Sequence, residues 1–169
     1  MTDRPEAQHT LGSLFTGIGL LDLGLERAGF KTIWQVEKNK RMWPVLKRHF
    51  GVPIYEDVTT VDWSSVERPD ALAGGFPCQP FSSAGLRKGQ ADERWLWPAF
   101  DVAIRALRPR IVIVENVARL LGSPEWQIVL GDLASAGYDA EWQVLRASDV
   151  GAPHRRERIF IVAHARSES

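Results

Sequence analysis

The sequence predicts an α/β fold with a mostly parallel sheet and helices on both faces. Apolar stretches of strand length alternate with longer segments of helical period. Ile111 to Val114 is an unbroken Ile-Val-Ile-Val run, as expected of a central strand buried on both sides. A glycine turn, Phe15-Thr16-Gly17-Ile18-Gly19, joins the first predicted strand to the first predicted helix, a position where such sheets bind ligands.

Each element has its own warrant. Leu11 to Phe15 reads as the first strand. Leu20 to Ala28 reads as a helix with Leu21, Leu25 and Ala28 on one face and Gly29 as its stop. Thr32 to Val36 is the second strand. The next helix ends near Phe50 and Gly51, and Pro44 requires it to start late or to kink. The third strand ends before Asp57, and Ala71 to Gly74 and Ile111 to Val114 are buried central strands. Ser123 and Pro124 begin a helix on which Trp126, Val129, Leu130 and Leu133 recur at helical spacing, and Gly137 ends it. Trp142 to Leu145 and Ile159 to Ala163 are the last two strands. Most of the seven tryptophans are expected in the core.

A chain of 169 residues with 44% apolar content suits one domain: a polar tail over residues 1–10, a domain over 11–165 and a short tail over 166–169. No apolar run is long enough to span a bilayer and the first ten residues are polar, which predicts a soluble, cytoplasmic protein with no membrane partner. Lys+Arg and Asp+Glu balance at 21 each, so any grip on nucleic acid must be local. Arginines cluster at Arg105, Arg108 and Arg110 and at Arg155, Arg156 and Arg158, and a solvated face is as good a reading of the first group. Cys78 is the single cysteine, which excludes an internal disulfide and a cysteine-rich metal centre, and no metal is expected.

The glycine turn lacks the third glycine of a dinucleotide fingerprint, since Asp22 stands there, so pyrophosphate binding is disfavoured. Glu37 ends the second strand, where a carboxylate can accept hydrogen bonds from ribose hydroxyls, and Asp57 stands where an acidic group can accept one from an adenine amine. Either alone reads more readily as a solvated loop carboxylate, whereas together with the glycine turn they describe an adenosine-shaped site without a phosphate cradle. Cys78 lies between Pro77 and Pro80 directly after a central strand, stiffened at the edge where ligands bind, which favours a nucleophile over a packing residue. Glu115, after Ile111 to Val114, should emerge on the same edge as a partly buried acid. Arg156 and Arg158, two apart at the start of the last strand, should point the same way, toward a polar base edge, a phosphate or a surface carboxylate such as Glu157.

From about Leu11 to Ala163, this set resembles the cytosine-5 DNA methyltransferases. The resemblance rests on the Phe-x-Gly-x-Gly turn, Glu37, Asp57, Pro77-Cys78-Gln79, Glu115-Asn116-Val117 and Arg156-x-Arg158, in family order. It implies a Rossmann-like S-adenosylmethionine-dependent methyltransferase fold and a transfer of methyl to C5 of a flipped cytosine, with Cys78 as covalent nucleophile. Glu115 would hold N3 and the exocyclic amine, and Arg156 and Arg158 the base carbonyl. The cofactor S-adenosylmethionine would be held by Phe15, Thr16, Gly17, Gly19 and Leu20, by Glu37 and Lys38, by Asp57 and Val58, and by Pro77. DNA would be the partner, touched by Gln79, Ser82, Arg87, Lys88 and Arg94, with residues 83–94 matching a loop that closes over it.

The sequence departs from the family at Leu20, where a small residue is usual, at Lys38, where an aromatic often covers the adenine, at Trp95-Leu96-Trp97 and at His154. In the family a recognition domain and a cofactor-closing segment follow the Arg-x-Arg strand. The expectation is therefore an N-terminal catalytic portion, with a complementary chain carrying the recognition domain as one possible partner. Other readings stand beside this one: a non-catalytic remnant or cofactor-binding module, or a tRNA cytosine-5 methyltransferase.

Overall fold

The computed structural model of the protein describes residues 9–77 and 95–166. Among these residues the sheet has seven strands: β1 (His9–Leu14), β2 (Phe30–Val36), β3 (Ile54–Tyr55), β4 (Ala71–Gly74), β5 (Ile111–Val117), β6 (Tyr138–Arg146) and β7 (Glu157–Ala165). They lie in the order β3-β2-β1-β4-β5-β7-β6. The pairs from β3 through β5 are parallel, and β7 runs antiparallel to both neighbours. The mostly parallel α/β sheet expected from the sequence is the one observed.

Helices α1 (Leu20–Arg27), α2 (Trp43–His49), α3 (Trp97–Leu107) and α4 (Pro124–Ser135) connect the strands. Pro44 falls in the first turn of α2, where a missing N–H leaves no helical bond unmade, so the helix starts late and is not kinked. Residues on the central strands alternate between two covers. Leu11, Ala71, Ala73 and Ile113 form one small cluster with Leu21 and Leu25 of α1. Leu14, Leu72, Val112 and Val114 face the opposite way, into a larger core with Phe100, Ile104 and Leu107 of α3 and Val129 and Leu133 of α4. Helices therefore cover both faces. Each of the large α3 side chains contributes about 1.5–3 kcal/mol by its burial.

Two aromatic contacts fix the β1–β2 half. Trp34 lies against Tyr55 and Trp63, and its indole N–H donates to the Glu67 carbonyl at 2.8 Å. Gly12 of β1 is in contact with that indole, and a side chain there would overlap the ring. Five of the seven tryptophans, at 34, 63, 95, 97 and 126, are buried, whereas Trp142 on β6 is 47% exposed. The first arginine cluster is partly structural: Arg105 pairs with Asp101 at 2.7 Å, and Arg108 donates to the Ala136 carbonyl, tying α3 to the end of α4. No described helix is long and apolar enough to cross a membrane.

Several boundaries differ from the sequence expectation. β1 ends at Leu14, because Phe15 already takes the left-handed backbone (φ +54°) that starts the turn. β5 runs on to Val117, so Glu115 lies within the strand instead of at its end. The reason is β7, which pairs Val117 with Arg158 and extends the ladder. β6 and β7 are each nine residues long for the same reason, as they extend each other over their whole length.

Candidate active site

The glycine turn closes the carboxyl end of β1. The Thr16 amide donates to the Val36 carbonyl (3.1 Å), which seats the turn on the end of β2, and Gly17 (φ +61°) and Gly19 (φ +81°) complete it. A side chain at Gly17 would meet nothing within 4 Å, so open space lies above it. Gly19 is packed underneath against Phe50 and Leu46. The two glycines thus do different work: one faces open space, the other lets the helix start approach α2.

Glu37 is fixed by this turn. Its carboxylate accepts the Gly17 amide on Oε2 at 2.7 Å and the Asn39 amide on Oε1 at 2.6 Å. Each oxygen keeps a further lone pair, so the group is oriented and still able to accept hydroxyl donors. Asp57 follows β3 and is occupied in a different manner. Oδ1 accepts from the amide and hydroxyl of Thr59, and Oδ2 pairs with Lys38 Nζ at 2.7 Å. Lys38 and the Thr59 donors hold the Asp57 carboxyl down to about 2. Sequence reasoning placed Lys38 and Asp57 separately, and the structure joins them. Val58 is buried in the core, and Pro77 is half-buried after β4.

A buried polar network lies beneath the turn. Ser13 Oγ donates to Asp22 Oδ1 (2.7 Å), Gln35 Nε2 donates to Asp22 Oδ2 (2.7 Å), and Thr16 Oγ1 lies 2.9 Å from Ser13 Oγ. Burial pushes the Asp22 carboxyl above its ordinary value, against the lowering effect of the Ser13 and Gln35 bonds. The sequence marked Asp22 only as a missing glycine.

Across the sheet, Glu115 Oε1 pairs with Arg158 Nε at 2.8 Å, both side chains being about one quarter exposed. A β-carbon on Gly75 would stand 2.7 Å from Glu115 Oε2, so the absence of a side chain there lets the carboxylate lie against the end of β4. The expected burial of Glu115 is thus partial, and it comes with an ion pair that the sequence did not reveal. Asn116 is buried, and its amide donates to the Phe76 carbonyl at 3.1 Å. It ties β5 to the backbone two residues before Cys78. Sequence reasoning included Asn116 in a motif but gave it no role. Arg156 precedes β7 in a left-handed conformation (φ +37°) and is exposed, while Glu157 turns away to Arg146 and Arg155.

One cavity of about 650 Å³ joins these parts. Phe15, Thr16, Gly17 and Leu20 of the turn and helix start line it together with Gly75, Glu115, Arg156, Arg158 and Phe160. Both arginines therefore face the same space, as their spacing implied. Gly19, Glu37, Lys38, Asp57, Val58 and Pro77 are not in its wall, so the residues expected around an adenosine lie beyond the turn from the Glu115 side. Cys78, Gln79, Ser82, Arg87, Lys88 and Arg94, and with them residues 83–94, lie outside the described residues.

Comparison with known proteins identifies the family and the fold. The family model for C-5 cytosine-specific DNA methylases matches residues 9–169. The chain is 38% identical over 156 residues to the type II methyltransferase M.NlaX of Neisseria lactamica, covering 88% of this chain and 50% of that protein. It is also 38% identical over 160 residues to M.Bsp6I of Bacillus sp. (strain RFL6), covering 90% and 51%. Among solved structures, a DNA modification methyltransferase encoded within an E. coli prophage superposes with a TM-score of 0.76 at 28% identity, over 92% of this chain and 46% of that one. The Dnmt2 methyltransferase of S. pombe shares the fold at a TM-score of 0.77 and 18% identity. The chain spans about half the length of the curated relatives it matches.

Proposed function

Since the chain belongs to the C-5 cytosine-specific DNA methylases, we propose that it carries the chemical centre of a DNA cytosine-5 methyltransferase dependent on S-adenosylmethionine. The observation that carries this reading is the single cavity shared by the glycine turn and the Glu115–Arg158 pair. The turn that would hold the cofactor and the ion pair that would hold the base both line that one space. The residues present fit the cofactor: Gly17 leaves open space above the turn, and Glu37 presents an oriented carboxylate for a ribose. No glycine-rich cradle for a pyrophosphate competes with that assignment.

The chemical problem is that C5 of cytosine is a weak nucleophile. Cys78, as thiolate, adds to C6, forming an S–C6 bond and moving the electrons of the C5–C6 double bond toward C5 and N3. Glu115 takes the N3 and amine edge of the base, with Arg158 fixing its carboxylate, and Arg156 and Arg158 take the carbonyl oxygen. The cofactor supplies an electrophilic methyl group on a sulfonium. C5 would take that methyl group as its bond to sulfur breaks and the electron pair stays on the sulfur, the C5 proton would leave to a base, and expulsion of the Cys78 thiolate would restore the double bond. The target cytosine must be out of the helix for C6 to be reached. Asn116 anchors the Phe76 carbonyl and so contributes to positioning the cysteine segment.

Recognition of a target sequence belongs to the part of the relatives that this chain does not cover, supplied in the same or a second chain. DNA is favoured over RNA because the matching family is defined on DNA. The test is transfer of labelled methyl groups to duplex DNA and to tRNA, by the chain alone and with the complementary half of a relative added. Transfer to DNA by the complemented pair supports the reading. Transfer to tRNA alone, or none with a folded chain that binds cofactor, overturns it.

A further inference from the structure

Asp22 is fully buried, at 0% exposure, yet no cationic side chain pairs with it among the described residues. The charged group that acts on it is Glu26, of the same sign. Its oxygens accept from Ser13 and Gln35, and it also receives its own backbone amide in the first turn of α1, where the helix dipole favours an anion. Ser13 Oγ, Gln35 Nε2 and the Asp22 amide are placed to donate to these oxygens, and their bonds favour the ionised form against the burial that disfavours it. A buried carboxylate held only by neutral donors is costly, and a cation brought into the adjoining cavity would offset that cost. With Ser13 and Thr16, Asp22 forms part of the cavity wall directly beneath the glycine turn.

We infer that Asp22 is the counter-charge for the sulfonium of the bound cofactor and sets the preference of the site for the charged methyl donor over its neutral, demethylated product. This rests on the cofactor assignment proposed above. S-adenosylmethionine and S-adenosylhomocysteine differ by one methyl group and one positive charge, so a fixed negative charge in a poorly screened wall distinguishes them, whereas hydrogen bonds to the shared adenosine do not. The consequence for turnover is directional: once the methyl group has gone, the attraction goes with it and the product is released more readily. Asp22 touches no reacting atom in this scheme. It acts through the field beneath the turn, and Ser13, Thr16 and Gln35 hold it there.

Titration calorimetry of the 169-residue chain with each of the two ligands tests this. Asp22→Asn should weaken S-adenosylmethionine binding by roughly fivefold or more and leave S-adenosylhomocysteine within about twofold. Equal weakening of both, or no change in either, reduces Asp22 to a structural residue and overturns the inference. If Asp22→Asn does not fold by circular dichroism, the charge can be moved across its own hydrogen bond. The exchange Ser13→Asp with Asp22→Ser should keep the preference, and Ser13→Asn with Asp22→Ser should lose it. Equal preference in those two exchanged forms is again a negative result. Binding of neither ligand by the parent chain would instead overturn the cofactor assignment, and this inference with it.

Discussion

Glu115 and Arg158 form a diagonal pair across two antiparallel strands: Glu115 is in register with Phe160, and its carboxylate reaches two residues along to Arg158 Nε at 2.8 Å. Gly75 bounds the other side of that carboxylate. A methyl group at Gly75 would stand 2.7 Å from Oε2 and must push it away from the position that Arg158 holds. Gly75→Ala is therefore expected to slow methyl transfer roughly tenfold or more in a complemented enzyme, with cofactor affinity unchanged. Single-turnover rates and calorimetric affinities, measured side by side, separate the two.

The covalent route makes a sharper demand. Cys78→Ser should abolish transfer, and Glu115→Gln should reduce it by a factor on the order of a hundred, as for loss of a positioned acid. Turnover of Cys78→Ser within a few fold of the parent would remove the nucleophile from the mechanism.

Glu37 accepts the Gly17 and Asn39 amides and, in the proposed function, a ribose hydroxyl as well. An amide in its place keeps the size but sets an NH₂ against either the Gly17 or the Asn39 amide. Glu37→Gln should lower S-adenosylmethionine affinity by roughly tenfold, the scale of one charge-assisted bond lost together with a disturbed turn. Calorimetry of the two chains checks it.

Asp57 has its carboxyl held at about 2 by Lys38 and Thr59. The folded value lies below the ordinary one near 3.8, so the stabilisation is fully present above that value and is lost as pH falls through about 2. Carbon-detected NMR of the side-chain carboxyl should show this midpoint. Lys38→Met should move it upward, with the Thr59 donors still keeping it below the ordinary range.

The packing of Gly12 on Trp34 gives a prediction independent of any ligand. Gly12→Ala forces the indole out of its site between β1, Tyr55 and Trp63. It should cost about 1–3 kcal/mol of stability, seen as a lowered Tm by circular dichroism.

The central strands were the most legible part of the sequence. β4 is observed at Ala71–Gly74 as expected, because burial on both faces left an apolar run with clear limits. The first helix and the placing of Pro44 followed from glycine and proline stereochemistry, which acts locally. Direction was not legible. Ile159 to Ala163 announces a strand, but nothing in its side chains says that β7 runs against its neighbours, and the lengths of β5, β6 and β7 depend on that pairing. The same limit applied to the site. Glu115, Arg158, Lys38 and Asp57 were each visible as chemistry, while their pairings arise from strand register. Asp22 was hidden because a carboxylate on a helix reads as solvent-facing until the fold buries it.

The strand order has a consequence for how the chain is made. β7 lies between β5 and β6, so among the described residues β6 bonds to the sheet only through a strand that follows it in the chain. As the polypeptide leaves the ribosome, β6 is complete and without a sheet partner until residues 157–165 emerge and insert beside β5. That insertion also delivers Arg158 to Glu115. The Glu115–Arg158 pair thus waits for β7, and until that strand inserts the emerging chain holds the parallel part of the sheet without this ion pair.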